Sequence, residues 1–295
     1  MVDATGNFHR VGTHFAKHSL GENRPMRTSL VLSPPAILLC LSLWNLEGMH
    51  LTNAALWCIA IAVSLWAAWL GVHGRLHLLE VLVVQSGTVA TLGALGVVAG
   101  YMVFKPLTMV VAIIFVANRR INTRARGRFD ALLIGALVFS LAGDVFLMLP
   151  GNYFIPGLAA FLVAHVFYIA LFRQGQAWFP SRRALLAVLA VGAVMYAIIW
   201  GGLTDPVLKI AVAAYVAVIS LMASQAIGRA VVLKQVAARR VALGTCIFMV
   251  SDSLIAINKF VVPLELASLW ILATYYAAQV LIMHHARPAD PPQPG

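Results

Sequence analysis

Two aspartates inside long apolar segments are the residues of this sequence best suited to chemistry. Asp144 lies in the apolar run that ends at Pro150, and Asp252 lies in the run that ends near Lys259. An acid in a segment that must be buried in lipid costs at least ~2.5 kcal/mol on insertion scales, so it indicates a functional site. At ~1.5 Å per helical residue, both acids lie roughly 10 Å below the same edge of the bundle. Two carboxyl groups at one level lose their protons in coupled steps, which suits general acid and base catalysis.

A structural role for the two acids is the alternative. Each carboxyl group would then pair separately with a lysine at the same edge, such as Lys105 or Lys259. Lys105 precedes Pro106 at the start of a predicted helix, where its ammonium group is also a candidate ligand for the phosphate of a lipid headgroup. Asn258, next to Lys259, is a further candidate for contact with the substrate.

Other polar side chains lie in predicted helices near the acids. His165 and Tyr168 are spaced i, i+3 on a helix that a short turn at 151–152 joins to the Asp144 helix, so the two helices pack antiparallel. We expect His165 either to hydrogen-bond a carboxylate or a ligand, or to be an ordinary histidine of the bundle interior. The remaining candidates, which could equally be packing residues, are Ser251, Tyr275, Tyr276 and Gln279. Gln279 should point into the bundle because an amide in hydrocarbon needs a partner.

The composition indicates an integral membrane protein. Of the 295 residues, 61% are apolar and 11% are charged, whereas a soluble domain has about 25% charged residues. The net charge of +11 is concentrated in gaps between apolar runs, so it indicates membrane orientation rather than nucleic-acid binding. The three cysteines have no CxxC spacing and are expected to be packing residues.

Long apolar segments predict helices because backbone groups in lipid must be paired internally. They lie at 52–72, 79–102, 106–118, 129–150, 153–172, 184–202, 206–226, 240–259 and 263–284. The predicted fold is therefore all-α: a polytopic membrane helix bundle with an eight-helix core at 76–286, plus one or two extra N-terminal helices within 34–75. Whether 34–47 also crosses the membrane stays open. Residues 1–33 form a basic N-terminal tail, and 287–295 is expected to be a disordered C-terminal tail.

Charges in the loops predict the orientation. The arginines and lysines cluster in the loops near 119–128, 173–183 and 229–240, and these loops alternate with nearly uncharged ones. Because basic loops stay on the cytoplasmic side, these loops and the C-terminus are predicted to be cytoplasmic.

Five short motifs, in order, resemble the YhhN-type lysoplasmalogenase family over about 79–284. They are Lys105-Pro106-Leu107-Thr108-Met109, Gly143-Asp144, Ala164-His165 with Tyr168, Ser251-Asp252, and Tyr275 to Gln279. The resemblance implies an integral membrane hydrolase that cleaves the vinyl ether bond of lysoplasmalogens to a fatty aldehyde and glycerophosphocholine or glycerophosphoethanolamine.

The resemblance also implies the partners and the chemistry. Asp144 and Asp252 would be the catalytic pair, with the acid and the base unassigned, because protonation of the vinyl ether carbon and attack by water need one of each. No metal or cofactor is expected. The expected partners are a lysophospholipid substrate and membrane lipids, without nucleic acid, in an oligomeric state that the sequence leaves open. Substrate contacts would come from Lys105, His165, Tyr168, Ser251, Asn258, Tyr275, Tyr276 and Gln279.

Two other functions use intramembrane acids. A proton-coupled transporter of small molecules or lipids is the first alternative, but its broken helices are not indicated, because Pro150, Pro156, Pro206 and Pro263 lie at or near predicted helix ends. An intramembrane aspartyl protease is the second. Its GxGD and YD motifs are incomplete here, since Ala142-Gly143-Asp144 lacks the first glycine and Ser251-Asp252 lacks the tyrosine.

Overall fold

The computed structural model describes residues 51–98, 100–122 and 127–288 of the chain. The predicted tail at 1–33, the segment at 34–47 and the residues from 289 onward lie outside this part of the chain.

The described residues form nine α-helices and no strand, which confirms the prediction of an all-α helical bundle. In chain order they are α1 (Leu51–Val72), α2 (Leu78–Ala94), α3 (Tyr101–Asn122), α4 (Gly127–Met148), α5 (Phe154–Arg173), α6 (Arg182–Ile199), α7 (Pro206–Leu233), α8 (Val236–Phe260) and α9 (Ala267–His285). A short 3-10 turn, Trp200–Gly202, follows α6.

Eight of these helices are long and apolar enough to cross a membrane, so the described chain is a multi-pass membrane bundle. The exception is α2, which has 17 residues. The prediction placed its end at 102, but the helix stops at Ala94 because Gly96 and Gly100 have φ angles of +73° and +111°, a conformation that glycine adopts without strain. The next helix therefore begins at Tyr101, and Pro106, predicted to start it, lies inside it.

Seven of the described helices form a closed ring. Each of α2, α3, α4, α5, α7, α8 and α9 packs against the next, and α9 packs against α2. Outside the ring, α1 packs on α2 and α6 packs on α7. The largest cluster of buried apolar side chains fills the ring, so side chains from α3, α4, α5, α8 and α9 can meet near its centre.

The two ends of the bundle carry different cations. The end that we call the arginine end carries all the arginines of the described residues together with Lys234; these arginines are Arg75, Arg119, Arg120, Arg128, Arg173, Arg182, Arg183, Arg229, Arg239, Arg240 and Arg287. Several of its side chains tie helices together: Arg119 pairs with Asp130 at 2.6 Å, and Arg229 donates to the carbonyl oxygen of Arg287 at 2.7 Å. The opposite end, which we call the lysine end, carries Lys105, Lys209 and Lys259.

Candidate active site

Asp144 lies in a buried network of polar side chains. Asp144 is 2% exposed to solvent. One carboxylate oxygen lies 3.4 Å from the Lys105 ammonium nitrogen, and the other accepts a hydrogen bond of 2.7 Å from the Tyr275 hydroxyl. The three residues come from α4, α3 and α9, so the ring arrangement of the helices brings them together. An ammonium partner and a phenol donor both stabilise the ionised form of this carboxyl group.

The network continues away from Asp144 through the Gln279 amide. Its nitrogen donates to the Tyr275 hydroxyl at 3.4 Å and to the Ser140 hydroxyl at 3.3 Å. Its oxygen accepts a hydrogen bond of 2.6 Å from Tyr168. The Gln279 residue is 1% exposed, so the prediction that it points into the bundle is confirmed. We call Lys105, Asp144, Tyr275, Gln279 and Tyr168 the Asp144 network.

Asp252 has different surroundings. The Tyr215 hydroxyl of α7 donates a short hydrogen bond to one oxygen of its carboxyl group. Among the described residues, no cationic side chain lies within 4 Å of that group. A charged carboxylate in hydrocarbon without a cation is unfavourable, so these surroundings favour a protonated carboxyl group.

Asp252 also lines a cavity of about 370 Å³. Most of its lining is apolar and comes from α4 to α8, including Phe161, Met195, Ile219 and Ala256. On α8 it extends from Cys246 to Phe260, which is ~21 Å at ~1.5 Å per residue. The shape and the lining suit an alkyl chain that lies roughly parallel to the helices, with a carboxyl group partway along it.

Aromatic rings stand between the cavity and the Asp144 network. Phe161 lines the cavity, and its ring centre lies 6.0 Å from that of Tyr275. The Phe248 ring centre lies 5.5 Å from Tyr275 and 5.0 Å from His165. Phe161 is therefore a cavity residue that also contacts the Asp144 network.

Gly143 provides the room that Phe161 occupies. A Cβ atom at this glycine would lie 2.5 Å from the Phe161 ring, closer than real contacts allow. The glycine beside Asp144 therefore lets α5 place an aromatic ring directly against the segment of α4 that carries the acid.

His165 lies between the aromatic rings. It is fully buried, and neither ring nitrogen has a hydrogen-bond partner among the described residues. Its ring packs edge-on against Tyr215 and Phe248, at 5.2 Å and 5.0 Å between ring centres. His165 therefore contacts the aromatic ring of Tyr215, whose hydroxyl binds Asp252, and forms no hydrogen bond with either carboxyl group.

Ser251 and Asn258 are predicted substrate-binding residues that have hydrogen-bond partners within the protein, whereas the buried Tyr276 hydroxyl has none among the described residues. The Ser251 hydroxyl donates to the Ile271 carbonyl at 3.0 Å. The Asn258 side-chain oxygen accepts from the Leu264 amide at 2.8 Å and so shapes the α8–α9 loop. Tyr276 is buried beside Tyr275, 5.3 Å between ring centres. None of these three residues lines the cavity beside Asp252.

Tyr215 is the residue of this site that the sequence pattern did not indicate. It lies 37 positions from Asp252, in a helix whose other residues are mostly aliphatic. A phenol in hydrocarbon needs a hydrogen-bond partner, so this tyrosine was a signal that a polar group faces α7.

Comparisons with known proteins agree with the motifs. The model of the YhhN family matches residues 100–286. The chain is 37% identical to lysoplasmalogenase TMEM86A of Bos taurus over 153 residues, 50% of this chain and 61% of that protein. It is 34% identical to lysoplasmalogenase TMEM86B of Homo sapiens over 156 residues, 53% of this chain and 63% of that protein. It is 33% identical to a lysoplasmalogenase of Mycobacterium tuberculosis over 162 residues, 53% of this chain and 60% of that protein.

The matched segments thus cover less than two thirds of the length of each of these relatives. No solved structure matches the chain.

Proposed function

The chain belongs to the YhhN family, and on this premise we propose that it hydrolyses the vinyl ether bond of lysoplasmalogens. The observation that carries the proposal is the pair of aspartates: Asp252 at the wall of an apolar cavity, and Asp144 behind the Phe161 ring. The names of the relatives, lysoplasmalogenases, point to the same substrate. The products would be a fatty aldehyde and a glycerophosphocholine or glycerophosphoethanolamine.

The proposed reaction begins with proton transfer to carbon. A carboxyl group donates a proton to the β-carbon of the vinyl ether, and the double-bond electrons form the new C–H bond. The resulting oxocarbenium ion is attacked by water, which loses a proton to a carboxylate. The hemiacetal then breaks its C–O bond to give the aldehyde and the glycerol hydroxyl: the carboxyl group that took the proton from water donates it to the departing glycerol oxygen, and the carboxylate that gave the first proton takes the hemiacetal hydroxyl proton. One water molecule is consumed, and the proton lent by the enzyme is returned.

We assign the proton donor to Asp252 and the carboxylate to Asp144. Asp252 borders the cavity and has no cation within 4 Å among the described residues, which favours the protonated form there. Tyr215 donates to one Asp252 oxygen and leaves the other for the acidic proton. Lys105 and Tyr275 stabilise a negative charge on Asp144, which would accept the proton from water and stabilise the cation.

Phe161 would be the gate between the two groups. It is the cavity residue whose ring also contacts Tyr275, so its movement would let both carboxyl groups act on one substrate. The other predicted substrate contacts divide by position: Tyr168, Tyr275 and Gln279 would orient Asp144, and His165 would orient Tyr215. Ser251, Asn258 and Tyr276 would support the helices that hold the site.

We also propose the orientation and extent of the catalytic unit. The arginine end would face the cytoplasm by the positive-inside rule, and the cavity would then reach towards the other leaflet at its Phe260 end. The unit would comprise 76–286, which includes the whole region matched by the family.

The test is aldehyde release by the purified protein in detergent or nanodiscs. A lysoplasmalogen should yield aldehyde, whereas the matched 1-alkyl and 1-acyl lysophospholipids should yield none. In D₂O, protonation at the β-carbon predicts one deuterium at C2 of the aldehyde, and preformed aldehyde incubated in parallel controls for exchange. Aldehyde without deuterium would exclude the proposed proton transfer, and no aldehyde from the lysoplasmalogen would exclude the function.

A further inference from the structure

Aromatic side chains and lysines surround the opening of the cavity at the lysine end, and we call this opening the rim. The cavity is bounded there by Phe154, Ile199 and Phe260. Gly202, in the turn after α6, packs against the Phe260 backbone, where a Cβ atom would lie 1.9 Å from the carbonyl oxygen. The ends of α5, α6 and α8 therefore converge on this opening.

Lys259 is held at this rim by the rings that line it. Its ammonium nitrogen lies 4.6 Å from the centre of the Phe154 ring and 5.9 Å from that of Phe260. The residue is exposed, and no carboxylate of the described residues lies within 4 Å of it. Cation–π contacts hold an ammonium group in place without neutralising it, so its charge is available to an anion.

Lys209 is a second cation at the lysine end of the bundle. Its ammonium nitrogen lies 4.4 Å from the centre of the Trp200 ring, immediately after the cavity residue Ile199. The nearby Asp205 carboxylate accepts hydrogen bonds from the amides of Val207 and Leu208 at the start of α7. It forms no ion pair within 4 Å with Lys209.

Lys105, the third cation of the lysine end, is not available in the same way. Its residue is 5% exposed, and its ammonium group pairs with Asp144 at 3.4 Å. An anion would have to replace that carboxylate to bind it. The accessible positive charge beside the cavity therefore belongs to Lys259 and Lys209 among the described lysines of this end.

The spacing between Asp252 and Lys259 fits a phospholipid. The two residues are seven positions apart on α8, which is ~10 Å at ~1.5 Å per residue. Seven bonds join the β-carbon of a lysoplasmalogen vinyl ether to its phosphorus atom. At the ~1.2 Å advance per bond of an extended chain, these bonds span about 8 Å. A substrate with its vinyl ether at Asp252 thus brings its phosphate within reach of the Lys259 side chain.

We propose that Lys259, assisted by Lys209, binds the phosphate of a lysophospholipid whose vinyl ether lies at Asp252 and whose alkyl chain extends towards Cys246. This inference rests on the proposed function, because it takes the position of the reacting bond from it. The rim then sets the register of the substrate: the phosphate stays at the lysine end, and the double bond is held at the proton donor.

The test compares Lys259→Met with wild type on two vinyl ethers, a lysoplasmalogen and the corresponding phosphate-free alkenyl glycerol. A charge-assisted contact of this kind predicts a rise in KM for the lysoplasmalogen of about tenfold or more with little change in kcat. The Lys209→Met/Lys259→Met double variant should raise KM further, and Lys259→Arg should retain most of the affinity. The two methionine variants and wild type should have equal KM values for the phosphate-free substrate.

The matched control is Lys234→Met, which removes a lysine from the arginine end and should leave KM unchanged. Equilibrium binding of a non-hydrolysable 1-alkyl lysophospholipid gives a readout that does not need turnover, and its affinity should fall in Lys259→Met. Aldehyde release with an unchanged KM and an unchanged affinity in Lys259→Met would overturn this inference alone. Tight binding of inorganic phosphate, with no preference for the lipid, would overturn the lipid assignment. Absence of aldehyde from wild type would instead overturn the proposed function.

Discussion

Asp144 has an ammonium group, a phenol and an amide network around it, whereas Asp252 has one phenol and an apolar cavity. Both lie in apolar helices, and the sequence predicts similar distances from the same edge of the bundle. The partners that distinguish them come from other helices: Lys105 and Tyr275 for Asp144, and Tyr215 for Asp252. The role of each acid therefore depends on which helices it faces rather than on its depth.

Because of this difference, Asp144 should matter for the stability of the fold and Asp252 mainly for reactivity. The Asp144 carboxylate compensates a buried ammonium group, so the fold depends on it. The Asp252 carboxyl group compensates no charge among the described residues and borders free volume, so it can contact a ligand, and its replacement by a neutral side chain should cost little stability. Variants at Asp252 should therefore change mainly the activity, whereas variants at Asp144 should also change the free energy of unfolding.

The largest effect is expected from Asp252→Asn. Asparagine keeps an oxygen that accepts from Tyr215 but has no acidic proton, so aldehyde release should fall by about 10³-fold, in the range for loss of a general acid. The melting temperature in detergent should change little. The control is Glu265→Gln, an exposed acid in the loop before α9, which should retain activity. Turnover near the wild-type rate in Asp252→Asn would remove this residue from the mechanism.

Asp144→Asn should lose activity and also stability. Removal of one partner of a buried ion pair leaves the Lys105 ammonium group uncompensated, and it should lower the free energy of unfolding by about 3 kcal/mol. The additional change Lys105→Met should recover most of that loss but not the activity. Denaturant unfolding of wild type, Asp144→Asn and the double variant in detergent measures these changes in the free energy of unfolding. Equal stability of Asp144→Asn and Asp252→Asn would contradict the proposed difference between the two acids.

Gly143→Ala tests the layer between the two sides. The new methyl group would meet the Phe161 ring at 2.5 Å, and overpacking of this kind costs about 1–3 kcal/mol. The ring should be forced out of position, and kcat should fall about tenfold, since about 1.4 kcal/mol corresponds to that factor. Phe161→Leu in the same chain should restore activity in part. Gly127→Ala on the same helix, where no atom lies within 4 Å of the new group, is the matched control and should behave as wild type.

The features predicted from sequence are those that local pattern determines. Apolar runs predicted the helices, because the lipid imposes internal pairing on any chain that crosses it. The cost of an acid in such a run is a property of the run itself, so it singled out Asp144 and Asp252 without knowledge of their neighbours. The errors in helix ends, at Ala94 and Tyr101, arose where glycines interrupt a run that is still apolar.

Contacts between side chains of distant segments could not be predicted from the sequence. Lys105 was expected either to pair with a carboxylate such as Asp144 or to bind phosphate. The two residues are 39 positions apart, and nothing in the sequence between them distinguishes these two roles. Tyr215 was missed for the same reason, because its helix is mostly aliphatic and its buried polar residues, Ser220, Ser224, Gln225 and Arg229, do not indicate which neighbour the tyrosine faces. Such contacts depend on the order of helices around the ring, which loop lengths alone do not determine.

The smallest effects are expected from two tyrosines, one on each side of the comparison. Tyr215→Phe removes the donor to Asp252 but keeps the ring contact with His165. Tyr168→Phe removes the donor to Gln279 but keeps the stacked ring of Phe172. Each change deletes one hydroxyl group, worth about 1 kcal/mol.

The two hydroxyl groups should be detected by different experiments. In Tyr215→Phe, the Asp252 proton donor loses its orientation, so kcat should fall several-fold. The melting temperature should change little, because Asp252 borders the cavity, where water can replace the phenol as its partner. In Tyr168→Phe, the buried Gln279 oxygen loses its partner, so the free energy of unfolding should fall by about 1 kcal/mol while kcat changes less. Measurement of kcat and unfolding on both variants gives a crossed design. If Tyr168→Phe lowered kcat more than Tyr215→Phe, proton transfer would have to be reassigned to the Asp144 side, because orientation of the donor would then depend on the Gln279 amide.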